Sequence, residues 1–131
     1  MIVVDTNVIV YLLVNSDLTT SAATVRQKDR HWVAPVLWRS EFRNVTRGYF
    51  RRDAISLTNL ISLLELAESK VESRQVDATR VIELAVGSGC SAYDCEYVYL
   101  AEALAVPLVT SDKKLLTSFP EIAVSMSDFI A

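Results

Sequence analysis

Four acidic side chains occupy positions from which they could act together on a metal ion. Asp5 and Asp112 follow apolar segments of strand-like composition. Glu41 and Asp94 lie on or beside the apolar faces of helix-like segments. Clustered carboxylates repel one another, so such a group needs positive charge to offset the repulsion. Sites made only of oxygen ligands favour magnesium or manganese. The pattern therefore indicates a divalent-metal site.

The first and last acids share two interpretations. Residues 2–4 are apolar and predict a short buried strand, and Asp5 stands where that strand ends, before an apolar run at 8–14 of helical length. The carboxyl ends of parallel strands are where open α/β sheets bind ligands. Asp is also a favoured helix N-cap, so a purely structural function stays open for Asp5. Asp112, after a strand-like segment at 107–110, has the same alternatives.

Glu41 has no such capping function, because it lies well inside a predicted helix over 35–52. It falls beside an apolar face made of Trp38, Phe42, Val45 and Tyr49. An acid beside an apolar face is costly unless it is paired or holds a metal. The alternative for Glu41 is therefore a buried ion pair with an arginine.

Asp94 lies at the edge of the apolar face of a predicted helix over 91–105. That face contains Tyr93, Tyr97, Leu100, Ala101 and Leu104, whereas Cys95 lies away from it. Ser91 and Asp94 fit the Ser-x-x-acid capping pattern, so a structural function for Asp94 is also open.

The elements that must position these acids alternate between short strands and helices. Strands are predicted at 2–4, 30–34, 70–72, 107–110 and 122–124, and helices at 8–14, 19–28, 35–52, 54–68, 77–86, 91–105 and 112–118. Pro35 suits the first turn of the third helix, and Asp53 suits the cap of the fourth. This alternation predicts a parallel sheet covered by helices on both faces. We expect a single α/β sandwich domain over 1–131.

The composition excludes several classes of protein. The chain has 131 residues, of which 51% are hydrophobic and 22% charged, as in ordinary globular domains. No apolar run reaches the length of a membrane span, and no basic leader precedes Asp5, so we expect a cytoplasmic protein. Two cysteines, Cys90 and Cys95, cannot build a disulfide framework. One histidine, His31, argues against imidazole-based metal sites and Ser-His-Asp catalysis.

Four motifs in order carry a family resemblance that spans the chain. They are Val3-Val4-Asp5-Thr6-Asn7, Ser40-Glu41-Phe42, Ala92-Tyr93-Asp94-Cys95-Glu96-Tyr97 with Leu100-Ala101-Glu102, and Leu108-Val109-Thr110-Ser111-Asp112-Lys113-Lys114-Leu115. Together they resemble a PIN domain, and in detail the VapC branch of toxin–antitoxin ribonucleases. The resemblance implies a three-layer sandwich with a five-stranded parallel sheet ordered 3-2-1-4-5. It also implies a magnesium-dependent endoribonuclease in which Mn²⁺ can substitute for Mg²⁺.

The resemblance further implies functions for individual residues. The catalytic and metal-binding set is Asp5, Glu41, Asp94 and Asp112, and the polar residues that orient the first and last acids are Asn7 and Thr110. Among the acids, we expect Asp5 and Asp94 to be the principal ligands and Asp112 to bind directly or through water. Glu41 would be an outer ligand or a proton acceptor for the attacking water. Many relatives carry a further acid where this chain has Lys114, which puts a second metal in doubt.

Implied partners are an RNA substrate, a cognate antitoxin protein and a second copy of the chain in a homodimer. The net charge of −3 is unfavourable for nucleic acid, but metal neutralising four acids would change it to +1. We expect Lys113 and Lys114 to contact substrate phosphate. A stripe at i+4 spacing could be a solvated face, an RNA contact or a surface for an acidic partner: Arg39, Arg43, Arg47 and Arg51.

Other functions stay open at this point. Within enzymes, the alternative is a PIN nuclease of RNA processing or of structure-specific DNA cleavage. Outside enzymes, it is a non-catalytic PIN-like scaffold or a phosphoacceptor receiver. A receiver needs a buried lysine opposite its aspartate, a place that Lys113 and Lys114 do not fit. A degenerate scaffold should have lost site acids, and all four are present.

Overall fold

The fold is built around a parallel sheet of five strands in the order β3-β2-β1-β4-β5. The computed structural model describes residues 1–52 and 55–131. The strands are β1 (Ile2–Val4), β2 (Trp32–Pro35), β3 (Val71–Arg74), β4 (Leu108–Val109) and β5 (Ala123–Val124). The predicted fold class and strand order are confirmed.

Helices cover both faces of this sheet. They are α1 (Thr6–Leu13), α2 (Thr19–Lys28), α3 (Trp38–Arg51), α4 (Leu57–Lys70), α5 (Ala78–Ser88), α6 (Ala92–Leu104), α7 (Lys113–Ser118) and α8 (Met126–Ile130). Helix α1 packs against α2, α3 and α4, whereas α6 packs against α5 and across β1, β2 and β4. Across residues 1–52 and 55–131, no helix has both the length and the apolar character needed to cross a membrane.

The register between β1 and β4 sets up the centre of the molecule. Val3 pairs with Leu108 and Val4 with Val109, and all four side chains are fully buried. Strands buried on both faces have continuous apolar runs, which is why residues 2–4 and 107–110 could be recognised as strands. Because these two neighbours end at the same edge of the sheet, the residues that follow them lie side by side.

Several element boundaries differ from the prediction. Pro35 is not in the first turn of α3 but ends β2, where it pairs with Arg74 of β3. Helix α4 begins at Leu57, and its N-cap Ser56 accepts a hydrogen bond from the Asn59 amide at 3.2 Å. The predicted cap Asp53 and the predicted first helical residue Ala54 lie outside the described residues. Helix α8 was not predicted at all.

The buried faces of two helices are rotated from the predicted ones. On α3, Val45 is 36% exposed, whereas Thr46 is buried with its hydroxyl donating to the Phe42 carbonyl at 2.7 Å. On α6, Tyr93 is 65% exposed, whereas Cys95 is fully buried against α5, where Ser88 Oγ lies 3.9 Å from its sulfur. The predictions for Val45, Tyr93 and Cys95 were therefore wrong.

Candidate metal centre

Asp5 is a buried acid that forms no ion pair with any base among residues 1–52 and 55–131. It lies at the carboxyl end of β1, and the Thr110 hydroxyl donates to its Oδ2 at 2.7 Å. Asp5 is the N-cap residue of α1, yet its carboxylate makes no capping hydrogen bond. Burial raises the pKa of Asp5 to about 6; the negative charges of Glu41 and Asp94 add to the rise, and the Thr110 hydrogen bond opposes it. Helix capping therefore does not account for this carboxylate.

Thr110 also contacts Asp112, so one hydroxyl joins the first and last acids. The Asp112 amide donates to Thr110 Oγ1 at 3.0 Å. Asp112 does cap α7, because its Oδ1 accepts from the Lys114 amide at 2.8 Å and from the Leu115 amide at 3.1 Å. No other described residue donates to the second oxygen of this carboxylate. Capping and metal binding are thus compatible at Asp112.

Glu41 lies in the first turn of α3, not well inside the helix as predicted, and it accepts hydrogen bonds from hydroxyls rather than from an arginine. Tyr97 of α6 donates to Glu41 Oε1 at 2.5 Å, and Thr6 of α1 lies 3.1 Å from the same oxygen. Within residues 1–52 and 55–131, Glu41 makes no ion pair, so the buried Arg–Glu alternative is not found. Burial and the Glu41 carboxylate both raise the pKa of Tyr97, so its hydroxyl stays protonated.

Asp94 is half-buried in the first turn of α6. The predicted cap is present, because the Asp94 amide donates to Ser91 Oγ at 3.0 Å. Burial raises the pKa of Asp94, and the negative charge of Asp112 adds to this, whereas Ser91 and Lys114 oppose it. The negative charges of Glu41 and Asp94 therefore act on Asp5, and that of Asp112 acts on Asp94.

The remaining predicted contacts fall into different environments. Asn7 is exposed, and its side chain makes no hydrogen bond to the described residues. Lys114 Nζ donates to the Gly89 carbonyl at 2.7 Å, which ties α7 to the loop before α6. Lys113 is exposed.

The arginine stripe on α3 is not uniform. Arg39 is half-buried and pairs with Glu68 of α4, with Nε 2.7 Å from Oε1. Arg43 is exposed and donates to Ser40 Oγ at 3.2 Å. Arg47 and Arg51 are exposed, and neither makes an ion pair with a described residue. Within residues 1–52 and 55–131, Arg39 and Arg43 therefore already contact other side chains, whereas Arg47 and Arg51 make no ion pair.

Two residues of this region were not recognised in the sequence as part of it. Thr6 and Tyr97 both contact Glu41, and both are buried. Thr6 follows Asp5 directly, and Tyr97 comes three residues after Asp94 on the predicted apolar face of α6. Tyr97 was assigned to the core, which is correct for its ring but overlooks its hydroxyl.

The donor set suits a hard divalent cation that keeps part of its water. Across the described ranges, no three His, Cys, Asp or Glu side chains lie close enough together to form a ready-made metal site. However, the four acids supply only oxygen, and none is paired with a lysine or arginine in the part of the chain that is described. Mg²⁺ commonly binds through one or two carboxylates and several waters. The chemistry of the residues present therefore fits such an ion.

The sequence of this chain matches a known protein family. The family model described as the PIN domain matches residues 2–123. The chain therefore belongs to the PIN domain family, whose members are in general nucleases. A comparison with curated proteins finds no match.

Two solved structures share the fold. PAE2754 from Pyrobaculum aerophilum is 20% identical with a TM-score of 0.78, and the alignment covers 98% of this chain and 92% of that one. A toxin–antitoxin complex from Klebsiella pneumoniae contains a chain that is 15% identical with a TM-score of 0.71, covering 96% of this chain and 98% of that one. At these identities the likeness concerns the fold alone.

Proposed function

We propose that this chain is a magnesium-dependent endoribonuclease of the VapC type, which hydrolyses RNA phosphodiester bonds. The observation that carries the proposal is that Asp5, Glu41, Asp94 and Asp112 interact electrostatically, and that none of them forms an ion pair with a described lysine or arginine. Membership of the PIN family supports the same activity. Mn²⁺ should substitute for Mg²⁺, since both accept oxygen ligands.

Each acid has a distinct task in this proposal. Asp5 and Asp94 would hold the ion directly, and Asp112 would hold it through its free oxygen or through water. When bound, the ion lowers the pKa of water and neutralises charge on the phosphoryl oxygens. Glu41 would accept the proton of the attacking water, and Thr110 would keep Asp5 oriented. Lys113 would contact a neighbouring phosphate of the RNA.

The biological setting of the proposal is a toxin–antitoxin pair. The likeness to a chain of a toxin–antitoxin complex supports an antitoxin protein as the partner. We also propose a homodimer that acts in the cytoplasm. The single-domain assignment over 1–131 belongs to this proposal, and the family model supports it over residues 2–123.

The direct test is cleavage of labelled RNA by purified protein freed of bound partners. We expect cleavage of single-stranded RNA with Mg²⁺ or Mn²⁺ and none with excess EDTA. Undiminished cleavage in EDTA would contradict the metal-dependent mechanism. Cleavage of single-stranded or branched DNA, with RNA left intact, would instead favour a DNA nuclease.

A further inference from the structure

The carboxylate of Glu41 is held through one of its two oxygens. The Tyr97 hydroxyl lies 2.5 Å from Oε1, Thr6 Oγ1 lies 3.1 Å from the same atom, and the two hydroxyl oxygens are 2.5 Å apart. These residues come from three different helices, α6, α1 and α3. No described residue donates a hydrogen bond to Glu41 Oε2.

The hydroxyl oxygens of Thr6 and Tyr97 and Oε1 of Glu41 form one hydrogen-bonded group. An ionised carboxylate only accepts, so two hydroxyl protons serve three contacts. Tyr97 donates to Glu41 Oε1 at 2.5 Å and Thr6 donates to the same oxygen at 3.1 Å, whereas either hydroxyl can be the donor in the 2.5 Å contact between them. Hydrogen bonds to a carboxylate are stronger than those between neutral groups, and donors in a chain polarise one another. The hydroxyl pair therefore ends on one oxygen of Glu41 and fixes it there.

The two hydroxyl residues and Glu41 differ in their exposure to solvent. Thr6 is 4% exposed and Tyr97 is 1% exposed, so both hydroxyls are shielded from competing water. Glu41 itself is only half-buried and lines an open pocket of about 210 Å³ together with Leu37, Ser40, Asn44 and Tyr93. The two residues that hold Glu41 are thus buried, whereas Glu41 itself borders a pocket that solvent or substrate can enter.

We propose that Thr6 and Tyr97 are positioning residues that occupy Glu41 Oε1, so that Glu41 serves the site through Oε2 alone. The inference rests on the proposed function, because it assigns the way in which Glu41 meets the metal's water or the attacking water. Partners of this kind, which orient a ligand without touching the metal, typically contribute a factor of about 10 to 100 in metal affinity or activity. Neither hydroxyl needs to contact RNA.

The test compares Mn²⁺ affinity and RNA cleavage in matched variants. Tyr97→Phe removes one hydroxyl and keeps the ring. We expect it to weaken Mn²⁺ binding by about 10-fold, and to lower kcat by a similar factor with KM unchanged. The control is Tyr99→Phe on the same helix, because the Tyr99 hydroxyl makes no hydrogen bond to the described residues. Mn²⁺ binding is measured on the metal-free protein by paramagnetic resonance of the free ion.

A second pair keeps the inference testable if Tyr97→Phe does not fold. Thr6→Val should weaken Mn²⁺ binding, and Thr6→Ser, which keeps the donor, should restore it. Unchanged Mn²⁺ affinity in both Tyr97→Phe and Thr6→Val would overturn the inference. Wild-type protein that binds Mn²⁺ but cleaves no RNA would contradict the proposed function. The Mn²⁺ affinities of the variants would still test whether Thr6 and Tyr97 position Glu41. Wild-type protein that binds no Mn²⁺ would overturn both.

Discussion

Thr110 Oγ1 donates a 2.7 Å hydrogen bond to Asp5 Oδ2, although the two residues are 105 positions apart in the chain. The register of β1 with β4 creates this contact, because Val4 pairs with Val109 and these two residues are the last of their strands. The same hydroxyl accepts from the Asp112 amide at 3.0 Å. One buried side chain therefore links the two acids that follow the central strands.

Replacing this hydroxyl should be costly. Thr110→Val keeps the shape but removes the donor to a buried carboxylate and leaves the Asp112 amide without its acceptor. We expect a loss of about 1–3 kcal/mol in the free energy of unfolding at neutral pH. Thr110→Ser, which keeps the hydroxyl, should lose less. Urea denaturation of the three proteins measures this, and equal stability of Thr110→Val and wild type would show that the hydrogen bond contributes nothing.

The stability of the metal-free protein should depend on the ionisation of Asp5. Its folded-state pKa, about 6, lies above the ordinary value of 3.8, so the folded state favours the protonated form. The stabilisation from this group is complete below about pH 4 and is lost as the pH rises through about 6. A rise from 3.8 to about 6 corresponds to about 3 kcal/mol.

The comparison that isolates this effect is wild type against Asp5→Asn in EDTA. Other groups have the opposite effect on the pH dependence of stability. Glu102 is an example, because its hydrogen bonds with Arg80 lower its pKa. We therefore expect Asp5→Asn to gain stability relative to wild type between pH 4 and pH 7. A constant difference between the two proteins across that range would contradict the raised pKa.

Replacing Asp94 distinguishes a structural function at the start of α6 from a function in RNA cleavage. In Asp94→Asn the backbone amide that donates to Ser91 remains, so the cap is kept. We expect a stability change of about 1 kcal/mol or less together with loss of RNA cleavage. Asp17→Asn, at an exposed position between α1 and α2, is the matched control. A fully active Asp94→Asn protein would mean that Asp94 is only part of a helix terminus.

Lys113 should contribute to RNA affinity through phosphate alone. It is exposed at the start of α7, next to Asp112. We expect Lys113→Gln to weaken RNA binding equally for all sequences and to reduce the slope of log K against log salt by about 1. Lys70→Gln is the control, because Lys70 precedes β3 and lies at the opposite edge of the sheet. An unchanged salt slope in Lys113→Gln would exclude this phosphate contact.

The sheet and its acids could be predicted because their signals are local. Apolar runs end at Asp5 and just before Asp112, and parallel pairing then brings those ends together. The environment of Glu41 could not be predicted, since Thr6 and Tyr97 lie 35 and 56 positions away and reach it only through packing of α1 and α6 on α3. A single sequence contains no local signal for such contacts.

The errors on the helices have a different origin. A helical wheel gives the period of the apolar face, but not its orientation when more than one neighbour covers the helix. Helix α6 contacts α5 as well as the sheet, so Cys95 is buried and Tyr93 is left in solvent. Helix α8 is too short for a periodic signal, although Ser125 and Asp128 form a Ser-x-x-acid capping pattern at its start.

The Mg²⁺-dependent shift in melting temperature tests most directly whether Asp5, Glu41, Asp94 and Asp112 form one metal site. Metal that binds only the folded state stabilises it by mass action. We expect Mg²⁺ to raise the melting temperature of wild type more at neutral than at mildly acidic pH, where Asp5 is protonated. Asp5→Ala should lose most of this shift and should be no less stable than wild type without metal. An equal Mg²⁺ shift in wild type and Asp5→Ala would show that these acids do not form one site.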